Sequence, residues 1–260
     1  MSRDKKLIVG NWKMNLNTHE ASLYVHRLSD RVKVHRDVEV VLAPTLLALQ
    51  SLSLQINRRQ FKLAVQNLYW RDSGAFTGEV SASQLHGVVD YAIIGHSERR
   101  HVFGETDKDI RNKVQAAIRN EIKPILCIGE TANDRLEGET NSVLHDQLVA
   151  GLANITSEEL GQVTIAYEPV WAIGTGNNAL PDDVKKAVAA IRNQIKHLYG
   201  AAAAGDVRVL YGGSVTSDSA ADYLAVDGVD GLLVGGASLD AHNFSEIIAK
   251  AHKGSDLVKK

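Results

Sequence analysis

Eight short runs rich in Val, Ile and Leu recur along the whole chain, and this recurrence limits the fold more than any other feature. The runs are KLIVGNW (6–12), VEVVLAP (38–44), KLAVQNL (62–68), YAIIGH (91–96), KPILCIG (123–129), VTIAYEP (163–169), VRVLYGG (207–213) and GLLVGG (231–236). They are nearly continuous in apolar residues rather than alternating, the pattern of parallel strands buried on both faces. Amphipathic stretches separate most of them. The clearest, 181–198, opens with Pro181 and two acids and sets Val184, Val188, Ile191, Ile195 and Leu198 at helical spacing. Stretch 107–120 puts Ile110, Val114, Ala117 and Ile118 on one face, and further helices are predicted near 18–33, 45–57, 135–153, 216–225 and 241–252. The linker 69–90 reads mostly as loop.

Eight β–α units predict an α/β protein with a (β/α)8 architecture: a single closed parallel barrel with outer helices, for which about 250 residues is typical. The 260 residues, 44% of them hydrophobic, suffice for such a core. A doubly wound open sheet is the alternative from pattern alone. Even spacing and the lack of a composition break favour one closed domain over 1–260. A net charge of −2 predicts no nucleic-acid or membrane-surface partner, so any anion site has to be built locally. Cys127 is the single cysteine, which excludes an internal disulfide. MSRDKKLIVG lacks the long apolar stretch of a signal peptide, and no run is long enough to span a membrane. The expectation is a cytoplasmic enzyme.

In such a barrel, function sits at the C-terminal ends of the strands. The residues there are Asn11 and Lys13, Gln66 and Asn67, His96, Cys127, Glu168, Gly212–Gly213 and Gly235–Gly236. Asn11 and Lys13, two apart on a strand, are expected to project to one side of the pleat; the alternative is a frayed end with Lys13 in solvent. His96 reads either as a hydrogen-bonded structural residue or as a catalyst. Ser97 is a good N-cap, and a helical turn starting there would aim N–H groups at the imidazole and favour a neutral ring. Glu168, just before Pro169, is either a solvated strand end or a half-buried carboxylate with the raised pKa that suits a general base. The glycine pairs of YGGS (211–214) and VGG (234–236) are either ordinary turns or amide cradles for phosphate, the better reading for the last two strands of a barrel.

GTGNNA (174–179) matches the dinucleotide pattern G-x-G-x-x-A. That fingerprint needs a strand running straight into the first glycine and an acidic residue about 20 positions on. Residues 169–173 intervene, and 188–202 contain no Asp or Glu, so dinucleotide binding is rejected. Neither a Walker loop nor a zinc-binding H-E-x-x-H occurs, and Cys127 lacks clustered ligand partners, so no metal is expected.

Together, GNWKMN (10–15), QNLYWRDSGAFTGEVS (66–81), IIGHSERR (93–100), CIGE (127–130), AYEPVWAIGTG (166–176), LYGGSV (210–215) and DGLLVGGASL (230–239) resemble, in order and over all eight units, the triosephosphate isomerase family. The resemblance implies a TIM barrel that interconverts dihydroxyacetone phosphate and D-glyceraldehyde 3-phosphate in glycolysis and gluconeogenesis, without cofactor or metal. It implies Glu168 as the base moving a proton between C1 and C2, His96 as the neutral electrophile, Lys13 as the cation that stabilises enediolate and phosphate, and Asn11 as a donor to substrate oxygens. A glutamate base paired with a neutral histidine is a known property of that family, carried here by the resemblance.

By the same resemblance, phosphate rests on N–H groups of Gly174, Ser214, Gly235 and Gly236, while Glu98, Ser97 and Cys127 support the site and Glu98 pairs with Lys13. The family's closing lid, also a known property, maps to Pro169, Val170, Trp171, Ala172, Ile173, Gly174, Thr175 and Gly176. The first three would be the hinge. The family is a homodimer whose third loop, here LYWRDSGAFTGE (68–79), enters the other subunit. Thr77 and Phe76 would lie in that loop, Thr77 beside the partner's Asn11 and Lys13. Met14 would line the receiving pocket, with Arg99 near the interface. Departures from the family's pattern, in APTLLAL and SASQL, fall outside the site.

Overall fold

All eight apolar runs form strands: β1 Lys6–Asn11, β2 Val38–Ala43, β3 Lys62–Val65, β4 Tyr91–Ile94, β5 Lys123–Ile128, β6 Thr164–Tyr167, β7 Arg208–Tyr211 and β8 Gly231–Val234. The computed structural model describes residues 5–33, 37–173 and 178–252. Every strand pairs in parallel with its sequence neighbour, and β8 closes onto β1, giving a closed barrel in the order β1 to β8. The open-sheet alternative is thereby excluded.

Between the strands run α1 Thr18–Arg31, α2 Leu46–Gln55, α3 Ala82–Leu85, α4 Ser97–His101, α5 Asp107–Arg119, α6 Ala132–Leu136, α7 Thr140–Gly151, α8 Ser157–Leu160, α9 Pro181–Asp206, α10 Ala220–Leu224 and α11 Ala241–Ala251. Their starts follow local chemistry. Asn17 with Glu20, Thr106 with Asp109 and Thr131 with Asp134 form reciprocal capping boxes that satisfy otherwise orphaned N–H groups at α1, α5 and α6. Pro181 opens α9, where its missing N–H costs nothing.

Three boundaries differ from the sequence reading. The helix expected over 135–153 is two, because the capped start at Thr131 places α6 earlier and Gly138, at φ +77°, turns the chain before α7. The helix expected over 216–225 shrinks to α10 because Thr216 and Ser219 bond to each other in a turn. Helix α9 runs past Leu198 to Asp206, across a non-helical Gly200 at φ +84° and ψ 166°.

The period-2 geometry of the strands divides the core in two. Leu7, Val9, Val41, Ala43, Ala64, Tyr91, Ile93, Ile125, Cys127, Ala166, Leu210 and Leu233 pack together inside the barrel. The intervening positions, among them Ile8, Val40, Leu42, Leu126, Ile165, Val209 and Leu232, pack outward with the helices in a larger cluster. The inner series continues by two beyond the ring: Val9 to Asn11, Ala64 to Gln66, Ala166 to Glu168, Leu210 to Gly212, Leu233 to Gly235. The barrel's own parity therefore carries these residues to its mouth. Among the described residues no helix is long and apolar enough to cross a membrane.

Candidate active site

At the C-terminal mouth lies a cavity of about 360 Å³, lined by Asn11, Lys13, His96, Glu168, Ile173, Gly212, Gly213, Ser214, Val215, Thr216, Leu233, Gly235, Gly236 and Ala237. The polar residues that sequence reasoning assembled from five separate strands thus share one space. Gly174, expected to offer an N–H group, lies outside the described residues, as do Thr175 and Gly176 of the expected lid.

Glu168 follows β6 directly, and its N–H still bonds the Ile128 carbonyl at 2.8 Å. A Cβ on Gly129 would come within 1.7 Å of the Glu168 carbonyl oxygen, so only glycine lets the chain pass there. The residue is 1% exposed. Its Oε2 accepts the Ser97 N–H at 2.8 Å. Its Oε1 lies 3.1 Å from His96 Nε2 without hydrogen-bond alignment, which leaves a buried carboxylate oxygen with an open lone pair. The sequence alternative of a solvated strand end is thereby excluded.

His96 lies off the inward parity. Gly95, at φ +72°, reorients the chain just before it, and a Cβ there would press on Arg100, Ile110 and the Cys127 carbonyl at 3.1–3.3 Å. The N-cap of α4 is His96 itself and not Ser97. The reason is geometric: the turn at Gly95 points the imidazole back over its own helix start, and Nδ1 accepts the Glu98 N–H at 3.3 Å, while the Ser97 N–H is already committed to Glu168. An accepting Nδ1 carries no proton, so Nε2 of a neutral ring does. The neutral ring expected from helix-end electrostatics arises here from a specific hydrogen bond.

Lys13 enters the cavity by a different route from the one its spacing suggests. Strand β1 stops at Asn11, and Lys13 has a left-handed backbone at φ +53°, so pleat parity does not apply. Asn11 Oδ1 accepts the Lys13 N–H at 3.1 Å and Gln66 Nε2 bonds the Lys13 carbonyl at 2.9 Å, which together hold the strained residue. The ammonium bonds Glu98 Oε1 at 2.5 Å. Cys127 is fully buried; burial, followed by the charge of Glu168, pushes its thiol well above the usual range and keeps it protonated.

Pro169 leads into a 3-10 turn at Val170–Ala172, and Ile173 reaches the cavity. Strand β6 is therefore followed by a turn, with α9 starting only at Pro181, which removes the dinucleotide reading on structural grounds as well. Behind this turn stands a residue that the sequence did not single out. Glu130 is 0% exposed, and its Oε1 accepts both the Tyr167 O–H at 3.0 Å and the Trp171 Nε1–H at 2.8 Å. Burial raises its carboxyl above the usual range, opposed by these hydrogen bonds and by Arg135. Its only sequence signal was its place in CIGE.

A second hollow of about 670 Å³ shares Asn11, Lys13 and His96 and is walled by Met14, Asn15, Gln66, Asn67, Glu98, Arg99, Val102 and Phe103. Met14 is 94% exposed, and Val102 and Phe103, unnoticed in the sequence, are largely exposed too. In the third loop Tyr69 stacks on Trp70 at 4.1 Å and touches Phe76 at 4.7 Å, while residues 71–79, including Thr77, are all exposed. The start of the loop lies on its own barrel, with Trp70 packed against the outer core and Asp72 Oδ1 3.0 Å from the Arg119 guanidinium of α5, while the tip stays exposed. Among the described residues no group of three or more His, Cys, Asp or Glu could hold a metal.

A closed parallel barrel with a carboxylate, an imidazole, an ammonium and glycine turns at its mouth belongs to the (β/α)8 barrel enzymes. The family model described as triosephosphate isomerase matches residues 6–251. The chain is 43% identical to the triosephosphate isomerase of Clostridium perfringens over 243 residues, 93% of this chain and 98% of the relative. It is 43% identical to that of Caldanaerobacter subterraneus subsp. tengcongensis and 44% to that of Thermodesulfovibrio yellowstonii, each over 94% of this chain and 98% of the relative. The chain belongs to the triosephosphate isomerase family, and so to the aldose–ketose isomerases.

Proposed function

We propose that this protein interconverts dihydroxyacetone phosphate and D-glyceraldehyde 3-phosphate by proton transfer through an enediolate. The observation that carries the reading is the pairing of a buried, open Glu168 Oε1 with a protonated His96 Nε2 3.1 Å away in one cavity. Glu168 takes the proton from the carbon beside the carbonyl and returns it to the other carbon. Removing that proton builds negative charge on the carbonyl oxygen, and a donor fixed beside that oxygen lowers the barrier. His96 Nε2–H, the Lys13 ammonium and Asn11 are the donors at hand. The backbone N–H groups at Ser214, Gly235 and Gly236, with Gly174, take the phosphate. A Cβ on Gly235 would meet Lys13 Cε at 3.5 Å, so the bare backbone leaves room beside the ammonium for an anion.

Residues 169–176 act as a lid that excludes water and protects the enediolate phosphate from losing phosphate. Ile173, already at the cavity wall, supports this reading. Deleting residues 173–175 then raises phosphate elimination relative to isomerisation; an unchanged product ratio rejects the lid. The protein works as a homodimer in which Thr77 and Phe76 of one subunit fill the hollow beside Met14 and Arg99 of the other, and the apolar rim of that hollow supports the pairing. Light scattering that finds a fully active monomer of 28.2 kDa rejects it. Glycolysis and gluconeogenesis in the cytoplasm are the setting, supported by family membership.

The deciding experiment is a coupled isomerase assay with EDTA present. Wild type should retain full activity and Glu168→Ala should lose ~10²–10⁴ in turnover. A chelator-sensitive wild type, or a Glu168→Ala variant as active as wild type, refutes the mechanism.

A further inference from the structure

Two residues that bracket the base are tied to one buried carboxylate. Tyr167 and Trp171, on either side of Glu168 and Pro169, both donate to Glu130 Oε1. The Val170 N–H bonds the Glu130 carbonyl at 3.1 Å. The second carboxylate oxygen, Oε2, has no hydrogen-bond partner among the described residues. A buried carboxylate with an open oxygen is unfavourable unless a cation offsets it.

Arg135 is that cation, and it does more than neutralise. Its guanidinium carbon stands 4.2 Å from the centroid of the Trp171 ring, within cation–π range. One terminal nitrogen lies 4.0 Å from Glu130 Oε1 and the other bonds Asp183 Oδ1 at 3.1 Å. Asp183 is in the first turn of α9, where an acid also suits the helix dipole. Thus one side chain touches Trp171, in the hinge of the segment proposed as the lid, and Asp183, beyond that segment's far end. The direction of Arg135 is set locally: Thr131 follows Glu130 and caps α6 through Asp134, the residue before Arg135.

We propose that Arg135 is a positioning residue for the isomerisation, a brace that joins Glu130, the Trp171 ring and Asp183 and so holds the turn after Glu168 in register. The inference rests on the isomerase reading above. If the turn slackens, Glu168 moves, and a displacement of about 1 Å at a reacting group can cost ~10²-fold. A brace at one remove should cost less, about tenfold in kcat with KM changed by about threefold at most.

The groups that face the Glu130 carboxyl are Tyr167 from the end of β6, Trp171 from the turn and Arg135 from α6, with Asp183 of α9 beyond Arg135. Removing the cation makes protonation of Glu130 easier, so the variant should lose activity at a higher pH than wild type on the acid side. The test is steady-state kinetics from pH 5 to 9 on wild type, Arg135→Leu, Arg135→Lys and Asp183→Asn, with indole fluorescence followed over the same range and Trp171→Phe as the reference. Arg135→Leu should lower kcat about tenfold and move both the acid limb and the fluorescence midpoint upward. Arg135→Lys, which keeps charge but loses the planar stack, should restore the limb and only part of kcat. Asp183→Asn should lower kcat about threefold. If Arg135→Leu fails to fold, the Lys and Asn variants carry the test through the same kcat and pH readouts. Superimposable pH profiles with kcat within twofold of wild type overturn the proposal, even if thermal stability falls. A wild type inactive toward the triose phosphates would instead defeat the isomerase reading, and the fluorescence midpoint would still decide whether the brace exists.

Discussion

At the N-terminal end of the barrel Arg208 bonds Glu39 Oε2 at 2.8 Å and the Tyr91 hydroxyl at 2.7 Å, and Asp90 takes Arg58 at 2.9 Å and Lys62 at 3.2 Å. At the C-terminal mouth, Glu168 Oε1 and Glu130 Oε2 are buried without a hydrogen-bond partner among the described residues, and Lys13 sits at a strained φ. Both ends bury charge, but only the first pairs it fully. Paired charge closes the bottom of the barrel and serves stability. At the top, Glu168 lines the cavity with one carboxylate oxygen left open, which suits a proton acceptor, whereas Glu130 lies behind the turn with Arg135 as its cation.

The largest expected effect breaks the paired end. Arg208→Met strands Glu39 in a half-buried position beside Tyr91 and should cost about 3–5 kcal/mol of stability. Urea titration should show the loss, while kcat per folded molecule stays unchanged. A fall in kcat of the folded fraction would mean that the two ends are not independent. At the open end, Glu168→Asp withdraws the carboxylate by one methylene and should cost ~10² in turnover, with little change in the unfolding midpoint. Near-wild-type turnover would contradict the base assignment. A smaller effect comes from crowding: a Cβ on Gly212 would sit 3.0 Å from Glu168 Cγ. Gly212→Ala should push the base by a few tenths of an ångström and lower kcat by about tenfold, measured in the same coupled assay.

The smallest effect is a pH dependence at the paired end. Burial by itself would raise the Glu39 carboxyl, but the charge and hydrogen bonds of Arg208, then Tyr91 and Lys123, hold it below its ordinary 4.5. A depressed carboxyl contributes stability that is fully present above the unfolded value and fades as pH falls through the folded one. The stability gap between wild type and Glu39→Gln should therefore be constant from pH 6 to 8 and narrow below about 4.5. A gap that widens in acid would reverse the sign of the coupling.

Much of the barrel was legible because the cause is local and repeated. Strands covered on both faces need continuous apolar runs, and all eight runs became strands. Helix starts were legible where a capping pair or a proline marks them, as at Pro181, and misplaced where one was overlooked, as at Thr131. The site was legible as a set of residue types at strand ends. Its orientations were not: His96 as its own helix cap, the left-handed Lys13, and Ser97 as a donor to Glu168 all depend on backbone rotations at single residues. Glu130, Val102 and Phe103 were missed because burial and exposure are properties of the packed molecule and leave no mark on spacing.

The sequence by itself determined the eight-fold alternation, the family and the polar residues that stand beyond each apolar run, because side-chain periodicity and residue type act over a few neighbouring positions. Only the tertiary structure decided which carboxylate oxygen stays open, which imidazole nitrogen carries the proton, and that Glu130 and Arg135 stand behind the turn after Glu168. The carboxylate outcomes depend on closing the barrel, which brings groups more than thirty residues apart, as Glu130 is from Tyr167 and Trp171, within hydrogen-bond reach and away from water, while the imidazole proton is set by the backbone turn at Gly95 and the Glu98 N–H.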